Sequence, residues 1–452
     1  MEYIIDTPCG KVQGIDSNVE GVIAFKGIRY ATSERFEYPK IITNWEGIYD
    51  AKEYKHCAYQ PRSFYDEEKN VKKVFYYNEF RKGKHYTYSE DCLFLNIWTP
   101  KEINKNEKLP VIIYIHGGGF KSGCGHELPF DGPLWPLYGV IAVTINYRLG
   151  PLGFITLKEL KDKFGQSGNY GLYDQMTAIE WIKNNIESFG GDKDNITIMG
   201  QSAGAMSVHQ LCSSPLVEGL FHKAVMNSGG GINKFLVTPK EEKNYAFWEK
   251  VKEFANCQTL DDLKTVPVEI LYTAWEKAKK EVKGFLMAAS PVIDGKIIVD
   301  TNNNIFKSNQ QHKIPYMIGS TSEDMFSPFM CNMAKKWSDN QDKPSYCWMF
   351  NHPLPGDDNG AWHSSELWYF FGTLKNCWRP MNEVDYKLSH QMISYLTNFA
   401  KSGNPNSNDL PYWEVSNKHS KKVMHFNKDT KMQKVNKYKL WNNLFTRKSV
   451  GE

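Results

Sequence analysis

The chain has 452 residues, of which 41% are hydrophobic and 23% charged, and its formal net charge is +4. This composition is typical of a folded globular protein and excludes a largely disordered chain. The charges form no dense basic block, so no nucleic-acid-binding surface is predicted. No run approaches the roughly 18 apolar residues that a membrane-spanning helix needs, so no membrane segment is predicted.

The N-terminus lacks the basic leader and apolar core of a signal peptide, which predicts a cytoplasmic location. The nine cysteines form no Cys-x-x-Cys pair and no dense framework. Most are therefore expected to be buried free thiols. The sequence contains neither an H-E-x-x-H motif nor paired Cys/His spacing, so no metal site and no cofactor are predicted.

Strand candidates follow one another along the chain. Residues 10–14 and 22–27 alternate apolar and polar positions around glycines, which predicts antiparallel hairpins at a sheet edge. Continuous apolar runs are typical of parallel strands buried on both faces. Such runs occur at residues 111–115, 140–145 and 196–199, and further strand candidates lie at residues 224–226 and 316–318.

Helical segments separate these strands. A segment that starts at Asp174 places its apolar residues on one helical face and ends at Gly190, which predicts a crossover helix. A late amphipathic helix should end at Gly403. No repeat or linker divides the chain. Residues 1–452 are therefore interpreted as one α/β domain, with a helical insertion at about 235–312 that would form a lid.

Ser202 lies between two glycines in residues 200–204 (GQSAG), directly after an apolar run. A strand, a sharp turn that exposes a serine, and a helix form the nucleophile elbow of α/β-hydrolases. Glycines on both sides leave room for the helix to approach the strand. An ordinary Gly/Ser turn would give the same five letters, but the strand–turn–helix order favours a catalytic nucleophile.

A serine that attacks an ester creates a negatively charged oxygen, which backbone N–H groups can stabilise. Residues 116–120 (HGGGF) follow the strand at 111–115, and their glycines leave N–H groups unobstructed. Gly118 and Gly119 are predicted to form the oxyanion hole together with Ala203, the residue after the nucleophile. A flexible glycine turn is the alternative.

The general base should be a histidine late in the chain, because the order in α/β-hydrolases is serine, acid, histidine. His363 lies in a loop that follows Gly360. The other late histidines are more simply surface or structural residues: His352, His390, His419 and His425. The acid is expected after the strand at 316–318, where spacing alone suits Glu323 and Asp324 equally.

Four further segments resemble the type-B carboxylesterase family, the α/β-hydrolases that include cholinesterases and bacterial para-nitrobenzyl esterases. They are residues 25–31 (FKGIRYA), 90–98 (EDCLFLNIW), 146–150 (NYRLG) and 171–175 (GLYDQ). The resemblance runs nearly end to end. It implies an α/β-hydrolase fold with a mostly parallel sheet, and hydrolysis of carboxylic esters through an acyl-enzyme.

The resemblance also implies roles for single residues. The family pattern selects His363, and it selects Asp324 as the acid where most members have glutamate, so Glu323 stays the alternative. It implies that Ser228 supports the triad indirectly. Gln201 stands where many members carry glutamate, which removes a charge beside the nucleophile.

Departures from the family bear on the substrate. Only 39 residues separate the proposed acid from the histidine, so part of the helical pocket wall is expected to be missing and the acyl site to be more open. Residues 57–92 resemble a disulfide-closed loop of secreted relatives, but they contain no tryptophan. Choline esters are therefore not expected, because tryptophan binds quaternary ammonium best. Cys57 and Cys92 are expected to stay reduced.

These features together predict a metal-free serine hydrolase of uncharged carboxylic esters, with short-to-medium acyl or aryl groups. Ser202 attacks, His363 relays the proton and Asp324 orients the imidazole. Activity should fall below about pH 6.5, the reference pKa of histidine. The alternatives are a feruloyl or acetyl esterase that acts on plant-derived esters, and a non-catalytic cholinesterase-like binding protein. A small-molecule ester is the only partner predicted.

Overall fold

The computed structural model describes residues 2–64, 74–102, 107–165, 167–231, 237–282, 289–324 and 343–435. Its strands are β1 (Glu2–Thr7), β2 (Gly10–Asp16), β3 (Val22–Arg29), β4 (Ala31–Thr32), β5 (Lys40–Ile41), β6 (Ile48–Asp50), β7 (Cys57–Ala58), β8 (Tyr88–Ser89), β9 (Phe94–Pro100), β10 (Leu109–Ile115), β11 (Ile141–Ile145), β12 (Gly191–Gln201), β13 (Lys223–Asn227), β14 (Tyr316–Thr321), β15 (Ser345–Phe350), β16 (Lys422–Phe426) and β17 (Lys431–Lys434).

The α-helices are α1 (Val74–Phe80), α2 (Gly150–Phe154), α3 (Lys158–Phe164), α4 (Tyr170–Asn185), α5 (Ala203–Leu211), α6 (Glu242–Phe254), α7 (Leu260–Thr265), α8 (Val268–Glu281), α9 (Asn302–Lys307), α10 (Glu366–Phe371) and α11 (Glu383–Ser402). Short 3-10 helices lie at Pro61–Phe64, Leu128–Phe130, Trp135–Tyr138, Ile186–Phe189, Pro215–Val217 and Leu374–Asn376. No helix in the described ranges is long and apolar enough to span a membrane.

Thirteen of the described strands form one sheet, in the order β1-β2-β3-β9-β11-β10-β12-β13-β14-β15-β16-β17, with β6 paired to β2. Strand pairing is parallel from β11 across to β16. It is antiparallel from β1 to β11 along that order and again between β16 and β17. The mostly parallel sheet and the N-terminal hairpins are thus confirmed.

Both faces of the sheet are covered, which explains the continuous apolar runs. In β10, Val111, Ile113 and Ile115 belong to the core that includes buried residues of α4 and α5. Ile112 and Tyr114 point to the opposite core, which includes buried residues of α11. All five side chains are fully buried. A strand buried in this way carries no polar alternation, because neither face meets water.

The predicted elements are present, with shifted ends. The late helix α11 stops at Gly403, which adopts a left-handed conformation with φ 78°. The crossover helix α4 begins four residues before Asp174, after Asn169, whose φ is 58°. A 3-10 turn then carries the chain to Gly190. Within the insertion predicted at about 235–312, the described parts contain α6 to α9, and the lid role stays a prediction.

A buried ion pair joins the chain after β11 to helix α4. Arg148 Nη2 lies 2.7 Å from Asp174 Oδ1, and Arg148 Nε and its backbone N–H donate to Oδ2 at 2.9 and 3.0 Å. The side chains are only 3% and 0% exposed. These residues belong to the NYRLG and GLYDQ segments noted in the sequence. Those segments therefore fix the crossover connection of the sheet.

Replacing Asp174 with alanine should lower the free energy of unfolding by about 3–5 kcal/mol, because it leaves the Arg148 guanidinium buried without a counter-charge. Equilibrium unfolding in guanidinium chloride measures this change. The matched control is Asp162→Ala, which breaks the Lys158–Asp162 pair whose side chains are 69% and 60% exposed. That pair should contribute little because solvent screens it. Equal losses in the two variants would contradict the assignment.

Candidate active site

Ser202 occupies a strained turn between β12 and α5. Its backbone has φ 55° and ψ −122°, a conformation that residues other than glycine rarely adopt. Its N–H donates to the Asn227 carbonyl at 2.9 Å, which ties the turn to β13. Positions 200 and 204, two residues away on each side, must be glycine. A Cβ on Gly200 would lie 2.3 Å from the carbonyl carbon of Gly204, and a Cβ on Gly204 would lie 2.0 Å from the carbonyl oxygen of Ile115.

The glycine loop after β10 lies directly beside this serine. Strands β10 and β12 are hydrogen-bonded neighbours, with Ile115 opposite Gly200, so the chain leaves both strands at the same edge of the sheet. A Cβ built on Gly117 would lie 3.1 Å from Ser202 Cβ. The next residue, Gly118, has φ +107°, and a Cβ there would clash with the loop backbone. Only glycine fits at these positions.

Three backbone N–H groups are free to bind an anionic oxygen. Across the described ranges, the N–H groups of Gly118, Gly119 and Ala203 donate to no protein acceptor. The Gly118 carbonyl instead accepts hydrogen bonds from the N–H groups of Lys121 and Ser122 at 3.2 and 3.1 Å. The loop thus uses a carbonyl group for its internal hydrogen bonds and leaves the three N–H groups available. This arrangement suits the predicted oxyanion hole.

A second part of the site comes from the loops after β14 and before α10. Asp324 Oδ2 lies 2.6 Å from His363 Nδ1, with side chains 3% and 31% exposed. The backbone N–H of Glu323 donates to the Ala361 carbonyl at 3.1 Å, which joins the two loops. The carboxylate in contact with the imidazole therefore belongs to Asp324. The Glu323 side chain is only half-buried.

The other late histidines do not line the cavity that contains Ser202. His352 Nε2 lies 2.9 Å from Asp385 Oδ1, and His390 contacts the Tyr138 hydroxyl. His425 is buried in β16, which fits the structural alternative given for it above.

Asp324 shifts the titration of His363. Burial lowers the pKa of the imidazole, but the negative charge of Asp324 and its hydrogen bond raise the pKa by more, so the net shift is upward from 6.5. The sequence alone predicted an ordinary histidine pKa. Because the basic form is the one that accepts a proton, activity should be lost at a higher pH than that value indicates.

Glu366 is a buried acid near His363 that the sequence did not single out. Its side chain is inaccessible to solvent, and neither carboxyl oxygen has a hydrogen-bond partner within the described residues. Burial raises its pKa to about 8, so the carboxyl is mostly protonated at neutral pH. The one sequence feature that could have indicated it was a charged residue at the N-terminus of the otherwise apolar helix α10.

Gln201 contacts the catalytic face of the histidine. Its Nε2 lies 3.2 Å from His363 Nε2. With the Nδ1 proton directed at Asp324, Nε2 is the acceptor nitrogen, so the Gln201 amide donates to it. The hydrogen bonds of the described residues include none between Ser202 and His363. The hydrogen bond at His363 Nε2 is therefore made by Gln201.

Ser228 lies at the end of β13, against the nucleophile elbow. Its φ is 54°, and its N–H donates to the Gly319 carbonyl at 2.8 Å. The hydroxyl is buried and has no hydrogen-bond partner in the described part of the chain. A Cβ on Gly229 would lie 2.5 Å from the Ser202 carbonyl oxygen. The support of the triad by Ser228 stays a prediction, with close backbone packing as its basis.

A cavity of about 1010 Å³ contains Ser202, Gln201, His363 and the glycine loop. Helix α8 of the predicted insertion forms one wall. Aromatic side chains in the lining are Tyr76, Phe80, Tyr114, Phe130 and Tyr272. Basic residues in the described lining outnumber acidic ones: Arg62, Arg81, Lys121, Lys277, Lys279 and Lys280 against Glu127 and Glu276.

The sheet order, the serine elbow after β12 and the glycine loop after β10 define an α/β-hydrolase. Solved structures of such enzymes superpose on nearly the whole chain. A thermophilic para-nitrobenzyl esterase has a TM-score of 0.84 at 27% identity and covers 98% of this chain and 100% of its own. A Geobacillus stearothermophilus carboxylesterase has a TM-score of 0.80 at 26% identity, with 98% and 99% covered.

The chain belongs to the carboxylesterase family, whose sequence profile matches residues 1–332 and 325–441. Para-nitrobenzyl esterase of Bacillus subtilis (strain 168) is 30% identical over 482 residues, which cover 93% of this chain and 94% of that protein. Carboxylesterase 4A of Bos taurus is 27% identical over 513 residues, with 93% and 90% covered. The family resemblance found in the sequence is confirmed.

The acidic limb of the pH–rate profile should lie above pH 6.5, because Asp324 raises the pKa of His363. Below that pKa, kcat/KM for a para-nitrophenyl ester should fall about tenfold per pH unit. Gln201→Glu places a negative charge beside Nε2 and should move the limb to higher pH. Gln258→Glu, an exposed substitution between α6 and α7, is the control. If Gln201→Glu does not shift the acidic limb, the contact between residue 201 and His363 is contradicted.

Proposed function

We propose that this carboxylic ester hydrolase cleaves small uncharged esters through a covalent acyl-enzyme. Ser202 is the nucleophile, His363 the general base and Asp324 the residue that orients the base. The observation that carries this proposal is the 2.6 Å contact between His363 and Asp324 at a cavity shared with a serine in a strained elbow. Intact reactive residues argue against a non-catalytic binding protein.

In the acylation step, the Ser202 hydroxyl attacks the ester carbonyl and its proton passes to His363 Nε2. The Gln201 amide must first leave this nitrogen, since both groups need the same lone pair. Asp324 keeps the other ring nitrogen protonated and stabilises the imidazolium that forms, without accepting its proton. The alcohol leaves when His363 returns the proton to its oxygen.

The negative oxygen of the tetrahedral intermediate lies in the proposed hole formed by the N–H groups of Gly118, Gly119 and Ala203. Each such donor typically contributes about 3 kcal/mol to transition-state stabilisation. A water molecule then attacks the acyl-enzyme with the same base and the same hole. Burial raises the pKa of Glu366, which disfavours a second negative charge beside His363.

The cavity lining bears on the substrate. Its aromatic side chains favour apolar acyl or aryl groups, and its excess of basic residues disfavours cationic esters. Helix α8 supports the proposal that residues 235–312 form a lid over this cavity. Feruloyl or acetyl esters of plant origin remain the second candidate, because an aryl group also fits an aromatic lining. A cytoplasmic location is part of the proposal, and cell fractionation tests it.

Ser202→Ala should lower kcat for a para-nitrophenyl ester by a factor on the order of 10⁴ or more, because removing a nucleophile abolishes the covalent route. A fluorophosphonate probe should label the wild-type protein at Ser202 and leave the variant unlabelled, as peptide mass spectrometry would show. Ser213→Ala, a buried serine at the end of α5, is the control and should keep both properties. Full activity or labelling in Ser202→Ala would refute the assignment.

The basic lining predicts discrimination by charge. The 3,3-dimethylbutyl ester is the uncharged isostere of a choline ester with the same acyl group. The choline ester should have a kcat/KM at least about tenfold lower, because charge repulsion of about 1.4 kcal/mol gives a tenfold difference. Para-nitrophenyl esters of increasing chain length, assayed beside a feruloyl ester, define the acyl preference. Equal rates for the charged and uncharged pair would contradict the charge argument. A dominant feruloyl activity would favour the second candidate.

A further inference from the structure

Three buried side chains with metal-ligating atoms meet behind the glycine loop. Cys57 belongs to β7, and Cys124 and His126 follow the loop after β10. Their exposed fractions are 1%, 3% and 8%. The two sulfur atoms and one ring nitrogen all lie within 4.8 Å of one another, and Cys57 Sγ lies 3.5 Å from His126 Nε2. Within the described residues, no other group of this kind is present.

We propose that Cys57, Cys124 and His126 bind one Zn²⁺ ion. Thiolate and imidazole are the ligands that zinc prefers, and two thiolates would neutralise its charge. Zinc bonds of about 2.3 Å to sulfur and about 2.0 Å to nitrogen at a tetrahedral angle place the ligand atoms about 3.5 Å apart. The observed Sγ–Nε2 distance already has this value. The other two pairs of ligand atoms lie within 4.8 Å of each other, so binding the ion would require at most a contraction of about 1 Å.

The surroundings hold the ligands in place and leave one coordination position for water. The His126 ring lies between two tyrosines, stacked on Tyr54 at 4.6 Å and tilted against Tyr86 at 5.5 Å between ring centroids. The Tyr86 hydroxyl is buried and has no hydrogen-bond partner among the described residues. Three protein ligands and a water complete a tetrahedral site.

The proposed site is connected to the glycine loop through Gln60. The Gln60 side chain donates to the Gly123 carbonyl at 3.1 Å and accepts from the Gly123 N–H at 3.0 Å. Cys57 lies three residues before this glutamine, and Cys124 directly follows Gly123. A zinc ion would thus bridge the two chain segments that this amide already joins. Its role would be to stabilise the loop, and no step of ester hydrolysis passes through it.

Cobalt is the probe for this site, because Co²⁺ takes zinc sites and reports thiolate ligands by charge-transfer absorption in the near ultraviolet. The full-length protein, reduced and stripped with a chelator, should bind one Co²⁺ per chain with this absorption, and Zn²⁺ should displace it. Added Zn²⁺ should raise the melting temperature, since an ion that binds only the folded state stabilises it. Esterase activity of the stripped protein checks that it is folded.

Cys57→Ser, Cys124→Ser and His126→Gln should each weaken Co²⁺ binding by at least about 100-fold, because losing an outer partner of a ligand alone costs 10–100-fold. Cys212→Ser, a fully buried thiol outside the cluster, is the matched control and should retain binding.

X-ray absorption of the wild-type zinc protein should show two sulfur ligands, which keeps the test decisive if a variant fails to fold. The proposal is overturned if the folded wild type gives no charge-transfer band. It is equally overturned if binding survives in all three variants, or if the reduced protein binds no metal while the oxidised protein contains a Cys57–Cys124 disulfide.

Discussion

The close approach of helix α5 to strand β10 is the constraint on which the reactive centre depends. The helix comes so near that a single added methyl group on Gly204 would lie 2.0 Å from the Ile115 carbonyl oxygen. This contact forces the chain through the strained turn at Ser202 and directs the helix N-terminus to the edge of the sheet. The glycine loop begins two residues after Ile115. The proposed nucleophile and the proposed oxyanion donors are therefore held by backbone packing.

The proposed acid and base are held differently. His363 and Asp324 come from loops, and a short hydrogen bond between their side chains sets their geometry. Asp324 contacts the imidazole, and burial raises the pKa of the neighbouring Glu366 carboxyl. Gln201 contacts the imidazole from the nucleophile side. The part of the site that moves protons in the proposed reaction is thus built from side chains.

The sequence predicts well what depends on neighbouring residues. Doubly buried strands appear as apolar runs, and the elbow appears as glycines around Ser202, because strand, turn and helix are local. The choice of Asp324 over Glu323 needed the family resemblance, since spacing suits both. The contact of Gln201 with His363 and the protonation of Glu366 depend on tertiary packing and burial. Periodicity likewise missed the first four residues of α4, because the left-handed Asn169 that starts the helix leaves no periodic signal.

Cys57 and His126 illustrate the same limit, since they are 69 residues apart in the chain and no spacing motif connects them. Cys57 lies in the separate two-stranded sheet of β7 and β8, so only the tertiary fold brings it to His126, and the contact leaves no local pattern.

The two loops that carry Asp324 and His363 are fixed to each other at their bases. Thr321 pairs with Phe350 across β14 and β15, and Glu323 bonds to Ala361. The length of the chain between them is therefore free to vary: doubling a closed loop costs only about 0.6 kcal/mol of entropy. Insertions between these fixed points would leave the contact between Asp324 and His363 in place. The chain between the two loops can thus change in length during evolution under a weaker constraint than the loops themselves.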